Sequence, residues 1–116
     1  MARKTERGLS RWLTATPDRK EKRFVMVGNS LFFNKKFCAL SVGARFLYIL
    51  AANESAGKRE FQLPATKIEA LGIPVRTARN YLKELEASGF IELVRSGKTT
   101  RTANDYQFCF RWLDDG

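Results

Sequence analysis

The chain has 116 residues, 44% hydrophobic and 12% aromatic, which suits one domain with a single modest core and argues against wholesale disorder. Its 21 Lys and Arg against 12 Asp and Glu give a net charge of +9, positive in both the first 23 residues and the remainder, so a polyanionic partner is the natural inference. The longest apolar run, 46–52, is far shorter than the roughly 18 residues of a membrane span, and no apolar segment follows the charged N-terminus as in a secretory signal.

The cytoplasm is therefore the expected location. Catalysis finds little to work with. The chain has no histidine, which removes Ser–His and Cys–His pairs, and neither GxGxxG nor the GxxxxGK phosphate loop occurs. Cys38 and Cys109 stand far apart and form no CxxC motif, so both are expected to be ordinary thiols rather than metal ligands. The expectation is no enzyme, no cofactor and no metal.

Residues 1–23 read as a basic arm bearing Arg3, Lys4, Arg7, Arg11, Arg19, Lys20, Lys22 and Arg23. Within it Leu9, Trp12 and Leu13 fall at i, i+3, i+4, the spacing of a short helix ending before Pro17. That stripe is too small to fold alone; docking on the body, a partner chain and disorder all stay open. The folded domain is expected over residues 24–113. It starts with the β-prone run 24–27, followed by a turn that Asn29 and Ser30 offer to cap. Ser41 then caps a central helix whose Ala44, Leu47, Tyr48 and Ala51 recur at helical spacing, widened by Phe46, Ile49 and Leu50. Gly57 ends it, and residues 61–63 read as a brief extended stretch.

Pro64 opens a second helix with Ile68 and Leu71 on its inner side, stopping at Gly72. After the link 73–75, a third helix over about 75–88 carries Ala78, Leu82 and Leu85 on one face, with Gly89 as its left-handed terminator. Two strands close the chain, 90–95 and 106–112. In the second, Tyr106, Phe108, Phe110 and Trp112 alternate with Gln107, Cys109 and Arg111. The polar segment 96–102 between them suits a hairpin tip.

Two helices joined by a short glycine-containing turn form a helix-turn-helix. Residues 66–92, TKIEALGIPVRTARNYLKELEASGFIE, resemble the core of winged-helix regulators of the MarR-like and GntR-like groups, with a short helix ending Leu-Gly-Ile and a recognition helix ending Leu-Glu-x-x-Gly. The likeness extends to about residue 112 through the basic hairpin. Asn104-Asp105-Tyr106 before the aromatic strand is similar to a feature of helix-turn-helix proteins and replication initiators of plasmids, phages and conjugative elements. The resemblance implies an α+β fold, a three-helix winged helix-turn-helix with a C-terminal β-hairpin wing. Pro74 stands where the family's recognition helix usually has a Ser or Thr cap.

The residues support this independently. With Ala78, Leu82 and Leu85 inward, the third helix presents Arg76, Thr77, Arg79, Asn80 and Lys83 outward. Arg can donate bidentately to guanine O6 and N7, and Asn can pair bidentately with adenine. Arg95, Lys98, Thr99 and Arg101 mark the wing, and Lys67 precedes the turn, as phosphate contacts that position without reading sequence. The expected function is sequence-specific binding of double-stranded DNA in transcription control, as a homodimer on near-palindromic sites. The alternatives are a replication-initiation or maintenance role on a mobile element and, in another class, a protein-interaction module. RNA binding ranks last, because the aromatics alternate into a core-facing strand rather than standing out for stacking.

Overall fold

The structure is a computed structural model that describes residues 13–18, 22–97 and 104–114. Its centre is the helix α3 (Val42–Ser55), which starts as its sequence demands. Ser41 is extended, and its Oγ accepts the Ala44 N–H at 3.2 Å. Ala44, Leu47, Tyr48, Ala51 and Ala52 of α3 are buried. Before it, β1 (Leu13–Asp18) and β2 (Lys22–Val27) lead into two single-turn helices, α1 (Asn29–Phe32) and α2 (Lys35–Cys38). After it come β3 (Glu60–Phe61), α4 (Ala65–Ala70), α5 (Val75–Ala87), β4 (Ile91–Arg95), β5 (Asp105–Phe108) and α6 (Arg111–Asp114). The class is α+β, with six helices and two small antiparallel sheets among the described residues.

Rings fill the interior. Tyr48 lies edge-on to Phe90 and Phe108, with centroids 5.3 and 5.4 Å away, and Phe37 closes a third side. Phe90 stacks on Trp112 at 4.9 Å. Such offset and T-shaped pairs add roughly 0.5–1.5 kcal/mol each beyond the burial of their area. Burial also pushes the Tyr48 hydroxyl above its ordinary pKa, so it stays neutral.

Both α4 and α5 end in the same way. Gly72 and Gly89 take φ of +87° and +83°, where a side chain would be strained. After α4, the Gly72 N–H donates to Glu69 O at 2.9 Å and the Ile73 N–H to Ile68 O at 3.3 Å. After α5, the Gly89 N–H donates to Glu86 O at 3.1 Å and the Phe90 N–H to Leu85 O at 3.0 Å. These are paired Schellman bonds, and they satisfy carbonyls that a helix end otherwise leaves orphaned.

The three-stranded sheet runs β3-β5-β4, antiparallel throughout, with Leu93 opposite Tyr106 and Glu92 opposite Gln107. Here the chain departs from the expected long strand 106–112. Pairing stops at Phe108, the Cys109 N–H turns to Phe90 O at 2.8 Å, and Trp112 reaches the core from α6. The alternation breaks because Cys109 is buried directly after Phe108, while Phe110 is half-buried beneath the Arg59 guanidinium.

The N-terminal region differs more. A two-stranded sheet precedes every helix, pairing Leu13 with Val27 through to Asp18 with Lys22. The division expected after residue 23 therefore falls inside β2, and Leu13 belongs to a strand rather than a helix. Leu9 and Trp12 lie outside the described residues. Thr14, Thr16, Val25 and Val27 favour extended backbone, and Pro17 is tolerated because a two-stranded sheet has only edge strands. Buried Leu13 and Ala15 face the body, where a Cβ at Gly57 would approach Ala15 O to 3.3 Å.

Candidate nucleic-acid interface

Helix α5 is 13 residues long and amphipathic. Its buried side is Ala78, Leu82 and Leu85. At 3.6 residues per turn, Arg76, Arg79, Asn80 and Lys83 project within an arc of roughly 100° on the opposite side, and all four are exposed. Arg76 to Lys83 covers about 10 Å along the axis. Thr77 lies away from this arc, half-buried towards the Tyr81 and Glu84 side of the helix. Pro74 starts α5 with no side-chain cap.

Two contacts hold α5 against α3. Glu84 receives the Ser41 N–H and the Ser41 Oγ–H on its two carboxylate oxygens, each at 2.7 Å, so one carboxylate joins the helix to the α3 N-terminus. Tyr81 lies directly over Gly43, where a Cβ would come within 2.0 Å of the ring Cζ. The close approach exists because position 43 has no side chain. Neither contact was visible in the sequence: Ser41 and Glu84 are 43 positions apart.

A groove of 420 Å³ separates α5 from the sheet. Arg79, Lys83 and Glu86 line one side, Leu93, Asn104 and Tyr106 the other, over a floor that includes Ile68 and Ala78. Asn104 organises the end of β5: its Oδ1 accepts the Gly97 N–H at 2.8 Å and its Nδ2 donates to the Tyr106 hydroxyl at 3.3 Å. The side chain thus ties together the two ends of the segment linking β4 to β5. Lys98, Thr99 and Arg101, expected at the wing tip, fall in that segment and lie outside the described residues.

The two remaining cations are engaged. Arg95 Nε bonds Asp105 Oδ2 at 2.8 Å across the β4–β5 pair, and Lys67 Nζ meets Glu54 Oε1 at 3.0 Å. Hydrogen bonding from Gln62, with the adjacent Arg95 contributing, holds the Asp105 carboxyl below its ordinary pKa. Both cations are exposed, so each forms a surface pair that solvent and salt screen.

Among the described residues no helix is long and apolar enough to cross a membrane, and no cluster of three Cys, Asp or Glu is placed to hold a metal. In comparisons with known proteins, no family model, no curated protein and no solved structure matches the chain.

Proposed function

We propose that the chain is a sequence-specific double-stranded DNA-binding protein of the winged helix-turn-helix kind, acting in transcription control, with α5 as the element that enters the major groove. The observation that carries this reading is the single exposed face of Arg76, Arg79, Asn80 and Lys83 on a helix whose other face is core. Arg and Asn are the side chains best suited to purine edges, and a helix of this diameter fits the major groove. The α4–α5 turn at Gly72 and the β4–β5 pair beside the groove agree with it. In this reading the segment after Gly97 is the wing, and Lys67 and Arg95 exchange their carboxylate partners for phosphates. No catalytic step is part of the function.

Selection of bound duplexes from a random pool tests the proposal. A recurrent motif is expected, and a palindromic one would indicate binding as a homodimer. Affinity should fall steeply as salt rises, through release of condensed counterions. Recovery of no motif, with binding indifferent to salt, would remove DNA from the function and favour a protein partner.

A further inference from the structure

The other unusual surface lies on α1 and α3 rather than on α5. Phe32, Phe33, Val42 and Phe46 are 54, 67, 76 and 48% exposed, a cluster of large apolar side chains of the kind that marks an interaction site. Three of them line an apolar groove of 310 Å³, where the end of β2, α1 and α2 meet the first half of α3. Arg45 is its one charged lining residue. Phe33 stands just outside, edge-on to Phe32 with ring centroids 4.9 Å apart.

Size and charge together say what fits this face. With roughly 150–250 Å² for each ring, the exposed parts of these four side chains and of Val27 amount to apolar surface on the order of 500 Å². A two-fold dimer of ordinary size buries about 800 Å² per subunit, roughly two-thirds of it apolar. One such face on each of two copies therefore supplies the apolar part of a whole interface. The chain carries +9, so two copies repel wherever their cations meet. The groove lining holds no Lys, Asp or Glu, and the Nε of its Arg45 donates to Leu40 O at 3.2 Å. Aromatic rings with an arginine, and little other charge, are the composition that interface cores favour, because a guanidinium lies readily against a ring.

We propose that this face is the contact between two copies of the chain related by a two-fold axis. Such an axis needs one surface to supply both complementary parts. Here a projecting ring at Phe33 stands beside an apolar groove, so Phe33 of each copy enters the groove of the other. The contact borders what sets α5 in place. Val42 lies between Ser41, which holds Glu84, and Gly43, which receives Tyr81. The two α5 helices are thereby held at one separation, which under the proposed function sets the spacing of the half-sites. That consequence rests on the DNA reading; the pairing of copies does not.

Sedimentation of the full chain without DNA tests the pairing. The chain should run as a monomer near about 0.1 µM and as a dimer near about 100 µM. No larger species should form, because a two-fold contact closes on itself. Phe33→Asp and Val42→Asp alter exposed side chains, so both should keep the circular dichroism spectrum of the unaltered chain. Each places its charge on both sides of the axis and should raise the dimer Kd about 100-fold. Val42→Thr, close to valine in shape, should raise it about threefold to tenfold and replaces any charged variant that unfolds. Leu71→Asp, at an exposed side chain after α4, should leave Kd unchanged. A chain that stays monomeric at about 100 µM overturns the proposal. So does a dimer that survives the substitutions at positions 33 and 42, one that Leu71→Asp weakens equally, or growth beyond two copies. Duplex selection is scored apart from this. A monomer that still recovers a motif sinks only the pairing, and a dimer that recovers none sinks only the DNA reading.

Discussion

Gly72 and Gly89 terminate their helices with the same pair of bonds and nearly the same φ, yet their surroundings are opposite. A Cβ at Gly72 would meet nothing within 4 Å. At Gly89 it would lie 3.0 Å from Arg111 Cβ and 3.1 Å from the Trp112 backbone nitrogen. The first glycine answers only to backbone geometry and leaves the α4–α5 turn uncovered. The second also leaves room for α6, whose Arg111 Nη2 donates to Glu86 O at 3.2 Å and whose Trp112 packs on Phe90. The same local signal thus ends one helix at an open surface and the other beneath a lid of structure.

The largest expected effect breaks this comparison at its crowded end. Gly89→Ala combines left-handed strain with a clash against α6, and should cost roughly 2–5 kcal/mol of stability. Gly72→Ala carries the strain alone and should cost about 1–2 kcal/mol. Thermal melts of the two variants measure the difference. Equal losses would mean that α6 yields freely and that the contrast has no energetic content.

On the proposed function, substitutions on the open side should change duplex binding rather than folding. Asn80→Ala and Arg79→Ala should each weaken the preferred duplex by about 1–3 kcal/mol and relax specificity, with the melt unchanged. Titration against the selected duplex and a scrambled one checks this. Equal affinity for both duplexes in the unaltered protein would separate α5 from base reading.

The smallest effect concerns the paired cations. Asp105→Asn should release Arg95 and strengthen all duplexes alike by at most about 1 kcal/mol, with a steeper dependence on salt. Because the Asp105 carboxyl is held below its ordinary pKa, the pair is fully formed at neutral pH. Its contribution is lost only as pH falls through that depressed value. Acidification from pH 7 to 5 should therefore not mimic the variant.

Much of this was legible from residue order. Ser41, Gly72 and Gly89 act through their immediate neighbours, and the periodicity of α5 separates its core face from its polar face. Leu71 misled, since it fits the inner spacing of α4 but is exposed one residue after that helix ends. The N-terminal hairpin was obscured by its basic residues and by Pro17, which suggested an arm instead of an edge strand. The Glu54–Lys67 and Asp105–Arg95 pairs depend on tertiary placement, so cations that looked available are already partnered.

The contact between Gly43 and Tyr81 gives the molecule a control point away from the polar face of α5. A methyl group at position 43 needs about 1.5 Å more room than the ring now leaves it. Either Tyr81 swings out or α5 tilts about its far end. In the second case the aim of Arg76, Arg79 and Asn80 changes although none of them has been touched. Position 43 is thus a place to change the orientation of α5 by leverage, and a variant library built there would sample helix orientation while keeping the face of Arg76, Arg79, Asn80 and Lys83 the same.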